Sequence, residues 1–242
     1  MNITKQSIVG VLVAADYRTA SVFKQYNIDF CCNGNRTLEK VCAEQQLPVD
    51  ELMSGLNNAA YTEKANIDYQ SWSIDLLAEY IAQKHHKYVT NTIEEIKPYL
   101  QKITMVHGNR HLELSKIKSL FDNCAGELLQ HMKKEELMLF PYIKRMMRAK
   151  EDKSFAMSSP FGSVQNLINM MHAEHDHEGE RFRQIAALST DYAVPPDGCN
   201  TYRVTMALLQ EFEEDLHLHI HLENNILFPK AIALEKEITA NA

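Results

Sequence analysis

Most of the 11 histidines in this chain fall in four places: His85-His86, His131, His172/His175/His177 and His217/His219/His221. Two of these places carry the same pattern. His131-Met-Lys-Lys-Glu135 leads to Leu139-Phe140-Pro141, and His219-Ile-His-Leu-Glu223 leads to Leu227-Phe228-Pro229. Residues four apart on a helix are neighbours on one face. Each pattern therefore presents an imidazole beside a carboxylate, a donor mixture that suits a transition-metal ion. The repetition implies two related helix hairpins, with a proline that kinks or ends each helix just beyond the donors.

The elements that must position these groups are helices. Gly (8) and Pro (7) are scarce and alternating β-branched runs are absent, so the chain reads as all-α. Four long amphipathic segments are expected near 73–104, 111–148, 161–189 and 200–236. The breaks between them are His107-Gly108-Asn109, the Ser/Pro/Gly stretch 158–163, and Val194-Pro195-Pro196-Asp197-Gly198. Four helices on short loops predict an up-down four-helix bundle. At about 100° per residue, each apolar stripe receives one inward histidine. His85 lies about 20° from Ile74, and His131 and Glu135 lie within about 40° of Ile117. His175 lies about 20° from Ile168; His219 and Glu223 lie about 20° and 60° from Leu208.

Two carboxylates in a core need a counter-charge, because an unpaired buried charge costs several kcal/mol. No Lys or Arg shares the core angles of these segments. A lone inward histidine is usually a satisfied core residue, but six such donors at one depth point to metal. Four imidazoles and two carboxylates exceed one tetrahedral zinc site. They suit two ions bridged by the glutamates, with iron or manganese favoured over copper. A ferritin-like reading exists in Glu174–His177 and Glu214–His217, which fit Glu-x-x-His. Their angles place them on outer faces, which disfavours it. His177 and His217 are expected in solvent, His172 behind a ligand or at an entry channel, and His86 as a surface neighbour.

Residues 1–60 hold short helical pieces and predict a small helical domain carrying Cys31-Cys32 just before the turn Asn33-Gly34. Residues 58–72 read as a linker and 73–242 as the bundle. Lys5 followed by the apolar run from Ile8 to Ala15 imitates a signal peptide, but a short buried helix is the better reading. Adjacent cysteines can form only a strained ring disulfide, so a structural staple is disfavoured. Their place before Asn-Gly predicts exposure, with thiolates free to hold a metal or change redox state. Cys124 falls on a core stripe and reads as packing. Five cysteines, two of them adjacent, do not make a secreted disulfide framework, which places the chain in a reducing cytoplasm. The formal net charge of −7 argues against nucleic acid, and no apolar run reaches the roughly 18 residues of a membrane span.

The segments HMKKEELMLFP, AEHDHEGE and HIHLENNILFP resemble the hemerythrin-like bundle of the di-iron, iron–sulfur cluster repair ("repair of iron centres") family. YNIDFCCNGNRTLEKVC is similar to the cysteine-pair domain that precedes it there. The resemblance spans nearly the whole chain. It implies a non-haem centre of two iron ions, oxo- or hydroxo-bridged, held by His85, His131, Glu135, His175, His219 and Glu223. The first-helix segment Lys84-His85-His86-Lys87 leaves the choice between His85 and His86 open. The resemblance further implies repair of clusters damaged by nitric oxide or peroxide through iron donation, with damaged iron–sulfur proteins as partners. It leans toward a homodimer. Reduction or binding of nitric oxide, or binding of dioxygen, is the competing function. Cys31 and Cys32 would ligate iron in transit or react with nitric oxide.

Overall fold

The computed structural model describes residues 3–59, 67–152 and 162–240. Parts of the expected linker, of the 158–163 break and of the start of the third segment lie outside these residues. The first quarter of the chain folds as four short helices: α1 (Val9–Ala15), α2 (Ala20–Gln25), α3 (Leu38–Gln45) and α4 (Val49–Ala59). Helix α1 is the apolar run that imitates a signal peptide. It buries Val9, Leu12 and Val13, as an internal helix should.

Four long helices follow. Helix α5 joins Ile74–Tyr80, Ile81–His86 and Lys87–His107; α6 joins Glu113–Lys134, Glu135–Leu139 and Phe140–Glu151. Helix α7 is Val164–Leu188, started by Ser163, whose hydroxyl accepts from Asn166 N–H. Helix α8 joins Asn200–Leu222, Glu223–Leu227 and Phe228–Ala240. The chain is thus an all-α four-helix bundle preceded by a small helical domain, as expected.

The middle piece of α5, α6 and α8 is in each case a π-turn. A π-turn inserts one residue into the helical ladder and is concentrated at functional sites. The helices do not end at either proline, one of the two outcomes expected there, for the same reason. Pro141 and Pro229 each follow a π-turn and the helix runs on past them. The widened turn moves the preceding carbonyls off the positions where a proline ring would strike them.

Apolar residues form two clusters in the bundle, the first of which runs on into the small domain. One contains Ile93, Ile96, Phe121, Phe182 and Phe212; the other contains Ile81, Ile143, Ile168, Ile226 and Phe228. The histidines and glutamates of interest lie in sequence between members of the two clusters on every helix. They form a polar slab with a dry core on either side.

The small domain lies against the outward side of α8. Phe30 sits edge-on to His217 and His221, with ring centroids 6.2 and 5.8 Å apart. His217 is therefore half-buried instead of solvated, and burial lowers it to about 4; His177, by contrast, is exposed. The angle calculation for α8 assumed that its outer face met water, whereas the small domain covers it. Close approach also explains a glycine pair. Gly10 N–H donates to Gly34 O at 2.7 Å, and a Cβ on Gly34 would strike the backbone of Phe30 and Gly10.

Near that side of α8, Glu213 is buried, 8% exposed, and burial pushes its carboxyl up to about 7. An unfolded glutamate gives up its proton near pH 4.3, the folded one near 7. This stability is therefore complete in acid and is lost as pH rises through 7. Glu213→Gln is expected to raise the melting temperature at pH 8 by about 3–6 °C and to leave it unchanged at pH 4. Thermal denaturation at both pH values checks this, and an equal shift at both would refute it.

Candidate metal centre

Each slab residue is placed by its own helix turn. His131 and Glu135 lie four residues apart on α6, as do His219 and Glu223 on α8, and all four are at most 3% exposed. Their side chains meet others from α5 and α7 in two groups. His86, Glu135, His219 and Glu223 form one; His131, Glu135, His175 and Glu223 form the other, with donor atoms in each group within 4.8 Å. Both glutamates belong to both groups. Glu223 Oε1 lies 3.0 Å from His219 Nε2 and its Oε2 3.2 Å from His175 Nε2. Glu135 Oε2 lies 3.3 Å from His86 Nε2 and 3.5 Å from His131 Nε2.

The structure brings five of the six expected donors together and replaces the sixth. His85 is in neither group. Its Nδ1 lies 2.9 Å from Asp215 Oδ1, and its ring stacks on that of His219 with centroids 5.6 Å apart. His86, expected at the surface, is 3% exposed and faces Glu135. The cause is the π-turn Ile81–His86. An α-helical count at 100° per residue runs one residue ahead after such a turn, so the position calculated for His85 is taken by His86.

The outer ring nitrogens are held as well. His86 Nδ1 lies 2.7 Å from Glu136 Oε1, His131 Nδ1 2.7 Å from Glu174 Oε2, and His175 Nδ1 2.8 Å from Asn224 Oδ1. Each partner accepts an Nδ1–H, so Nε2 is the nitrogen left to turn its lone pair on a metal ion. Glu174 is itself gripped by Lys134. These orienting residues were not singled out from the sequence, and Glu174 was weighed only as a ferritin-like ligand. A signal was there: Glu136, Glu174 and Asn224 are each the immediate chain neighbour of a donor.

The donor set fits a cation. Both oxygens of Glu135, Oε2 of Glu223 and Nε2 of His86 are buried without a hydrogen-bond partner. Buried polar atoms are nearly always paired, so convergent orphans in a dry core mark where another charge belongs. Burial resists protonation of His86 and His175, yet the carboxylates of Glu135 and Glu223 outweigh it and carry both to about 9. A cation entering the site displaces those protons. A cavity of about 560 Å³ opens beside His86, bordered by Thr90, Asn91, Glu136, Phe140 and Lys144. His172 joins neither group; its ring rests edge-on against Phe228.

The cysteine pair abuts this centre. Cys31 is buried and Cys32 partly so, contrary to the exposure predicted for both. Their sulfurs are 3.7 Å apart, and Cys32 Sγ lies 3.5 Å from His175 O. The Asp29 carboxylate accepts from both backbone N–H groups, and Asp29, Cys31 and Cys32 form a third group of converging donors. The neighbouring Cys32 thiol and burial push the Cys31 thiol well up. Cys124 is buried in the core beside Phe121 and Leu128, as packing requires.

Two family models match this arrangement. Residues 79–231 match the hemerythrin HHE cation binding domain, and residues 5–60 match ScdA_N, a domain of unknown function (DUF542). The chain is also 32% identical over 232 residues to the iron-sulfur cluster repair protein YtfE of Yersinia pseudotuberculosis, covering 96% of this chain and 99% of that one. This chain belongs to the iron–sulfur cluster repair family. A further relative is the iron-sulfur cluster repair protein ScdA of Staphylococcus haemolyticus, 27% identical over 228 residues, with 94% and 99% of the two chains covered. The polar slab lies within the residues that match the cation binding domain. No helix among the described residues is long and apolar enough to cross a membrane.

Proposed function

We propose that this chain holds two iron ions bridged by Glu135 and Glu223 and donates iron to iron–sulfur clusters damaged by nitrosative or oxidative stress. One observation carries the reading: two buried donor groups overlap in the same pair of carboxylates. His86 and His219 would hold one ion and His131 and His175 the other. Bound there, iron would supply a labile ion for transfer. The relatives named as iron–sulfur cluster repair proteins support the repair role. Partners are then proteins with damaged clusters, met in a reducing cytoplasm where Cys31 and Cys32 stay as thiols.

The protein's own groups do the remaining work. Glu136, Glu174 and Asn224 aim the imidazoles, the two apolar clusters exclude water, and Asp29, Cys31 and Cys32 offer a landing place beside His175. A second reading is binding or reduction of nitric oxide, or binding of dioxygen, which the cavity beside His86 favours.

The test is transfer from the iron-loaded chain to an apo-ferredoxin supplied with sulfide and thiol, followed by visible absorbance. Cys31→Ser/Cys32→Ser is expected to slow cluster formation about tenfold or more while iron content stays at the wild-type level. Unchanged transfer would remove the pair from the path. Consumption of nitric oxide without any iron transfer would favour the second reading.

A further inference from the structure

The π-turn Glu223–Leu227 carries two adjacent asparagines, and both reach the small domain. Asn225 Nδ2 donates to Phe30 O at 3.2 Å. Asn224 reaches in two directions at once. Its Oδ1 lies 2.8 Å from His175 Nδ1, and its Nδ2 donates to Cys31 O at 3.1 Å. One planar amide thus spans an imidazole of the metal centre and the backbone of the cysteine pair.

The chemistry of the amide allows a single orientation. Oδ1 can only accept and Nδ2 can only donate. The carbonyl of Cys31 demands the NH₂ group, which leaves Oδ1 for His175. His175 must then carry a proton on Nδ1, and its Nε2, which faces Glu223 and His131, is the nitrogen left for an ion. A second contact runs alongside, Cys32 Sγ against His175 O. Gly179, four residues after His175 on α7, leaves room for that sulfur, since a Cβ there would lie 3.2 Å from it.

We infer that Asn224 couples metal occupancy to the conformation of the Cys31–Cys32 loop, so that the loop reports whether the centre is loaded. This rests on reading the buried donor groups as a metal centre. With His175 Nε2 committed to an ion, the ring is fixed, the ring fixes the amide, and the amide holds the Cys31 carbonyl. His175 Nε2 also lies 2.9 Å from His131 Nε2 and 3.2 Å from Glu223 Oε2, so a ring that no ion holds has other partners to turn to, and the clamp on the loop loosens. Coupling of this kind is reciprocal: whatever pulls the loop away also weakens His175 as a ligand. Asn224 is a positioning residue, acting through His175 on one side and Cys31 on the other.

Asn224→Asp separates the two halves. A carboxylate still accepts from His175 Nδ1–H but cannot donate to Cys31 O. The experiment uses the full chain with Cys199→Ser, which removes an exposed thiol. The rate of Cys32 alkylation by iodoacetamide is followed by peptide mass mapping in metal-free and ferrous-loaded samples, and metal content is measured on the same samples. Loading is expected to slow Cys32 alkylation about fivefold or more, the lower end of typical coupling between sites. Asn224→Asp is expected to bind iron and to show equal rates loaded and unloaded, whereas Asn224→Leu weakens iron binding as well. An aspartate variant that keeps the wild-type difference, or that binds no iron, would overturn the inference. Absence of iron from the Cys199→Ser parent would instead overturn the metal-centre reading, and the inference with it.

Discussion

Replacing Glu135 and Glu223 together by alanine is expected to take bound iron from about two ions per chain to near none while the bundle stays folded. Both carboxylates belong to both donor groups, so their loss strips each ion of its anionic ligands at once. Four neutral imidazoles remain, with no charge to offset a pair of divalent ions in a dry core. The fold survives because the slab is not what holds the helices. The apolar clusters on either side are intact, and replacing buried charged groups by apolar ones is often neutral or stabilising. Melting of the metal-free variant should therefore match metal-free wild type to within a few degrees, with unchanged helical circular dichroism. The single variants sharpen the test. If each glutamate bridges, Glu135→Ala alone weakens both ions, whereas a glutamate serving one ion would leave the other at full occupancy. Iron analysis of the single and double variants decides this. Retention of two ions by the double variant would remove the carboxylates from the centre.

How much of this centre could be read from the chain depends on what each residue's position depends on. Five donors lie on segments whose α-helical period runs unbroken from the reference residue, so counting angles was sufficient for them. The first-helix donor lies at the end of a π-turn, and the angle count has no term for an inserted residue. The same inserted residue lets the helices run on past Pro141 and Pro229, which read as kinks or helix ends only where the preceding turn is α-helical. The outer face of α8 was a different kind of failure. Periodicity assigns a polar face to water, and His217 and His221 acquire another neighbour only once the small domain is docked. Cys31 is buried by that same docking, which no pattern local to YNIDFCCNGN could reveal. The four long helices, the histidine-rich slab and the family were legible because each is written within one helix or one contiguous motif.

The register of the π-turn yields the second large effect. His86→Ala is expected to halve the iron content, leaving about one ion on His131, His175 and the two glutamates, while His85→Ala retains two. His86 contributes Nε2 to a group in which His219 is the other imidazole, so its removal leaves that ion with one nitrogen and shared carboxylates. His85 acts differently. Its Nδ1 is engaged by Asp215 and its ring lies flat against His219, so its loss loosens the backing of a ligand without removing a donor. Loss of a residue that orients a ligand typically costs about 10–100-fold in affinity. His85→Ala should therefore show full stoichiometry at saturating iron with a weakened second binding step, and His86→Ala a stoichiometry near one at any iron concentration. A titration of metal-free protein with ferrous ion under anaerobic conditions separates the two, because stoichiometry and affinity are read from different parts of the curve. The reverse outcome, one ion in His85→Ala and two in His86→Ala, would mean that α5 keeps a plain α-helical register up to its ligand.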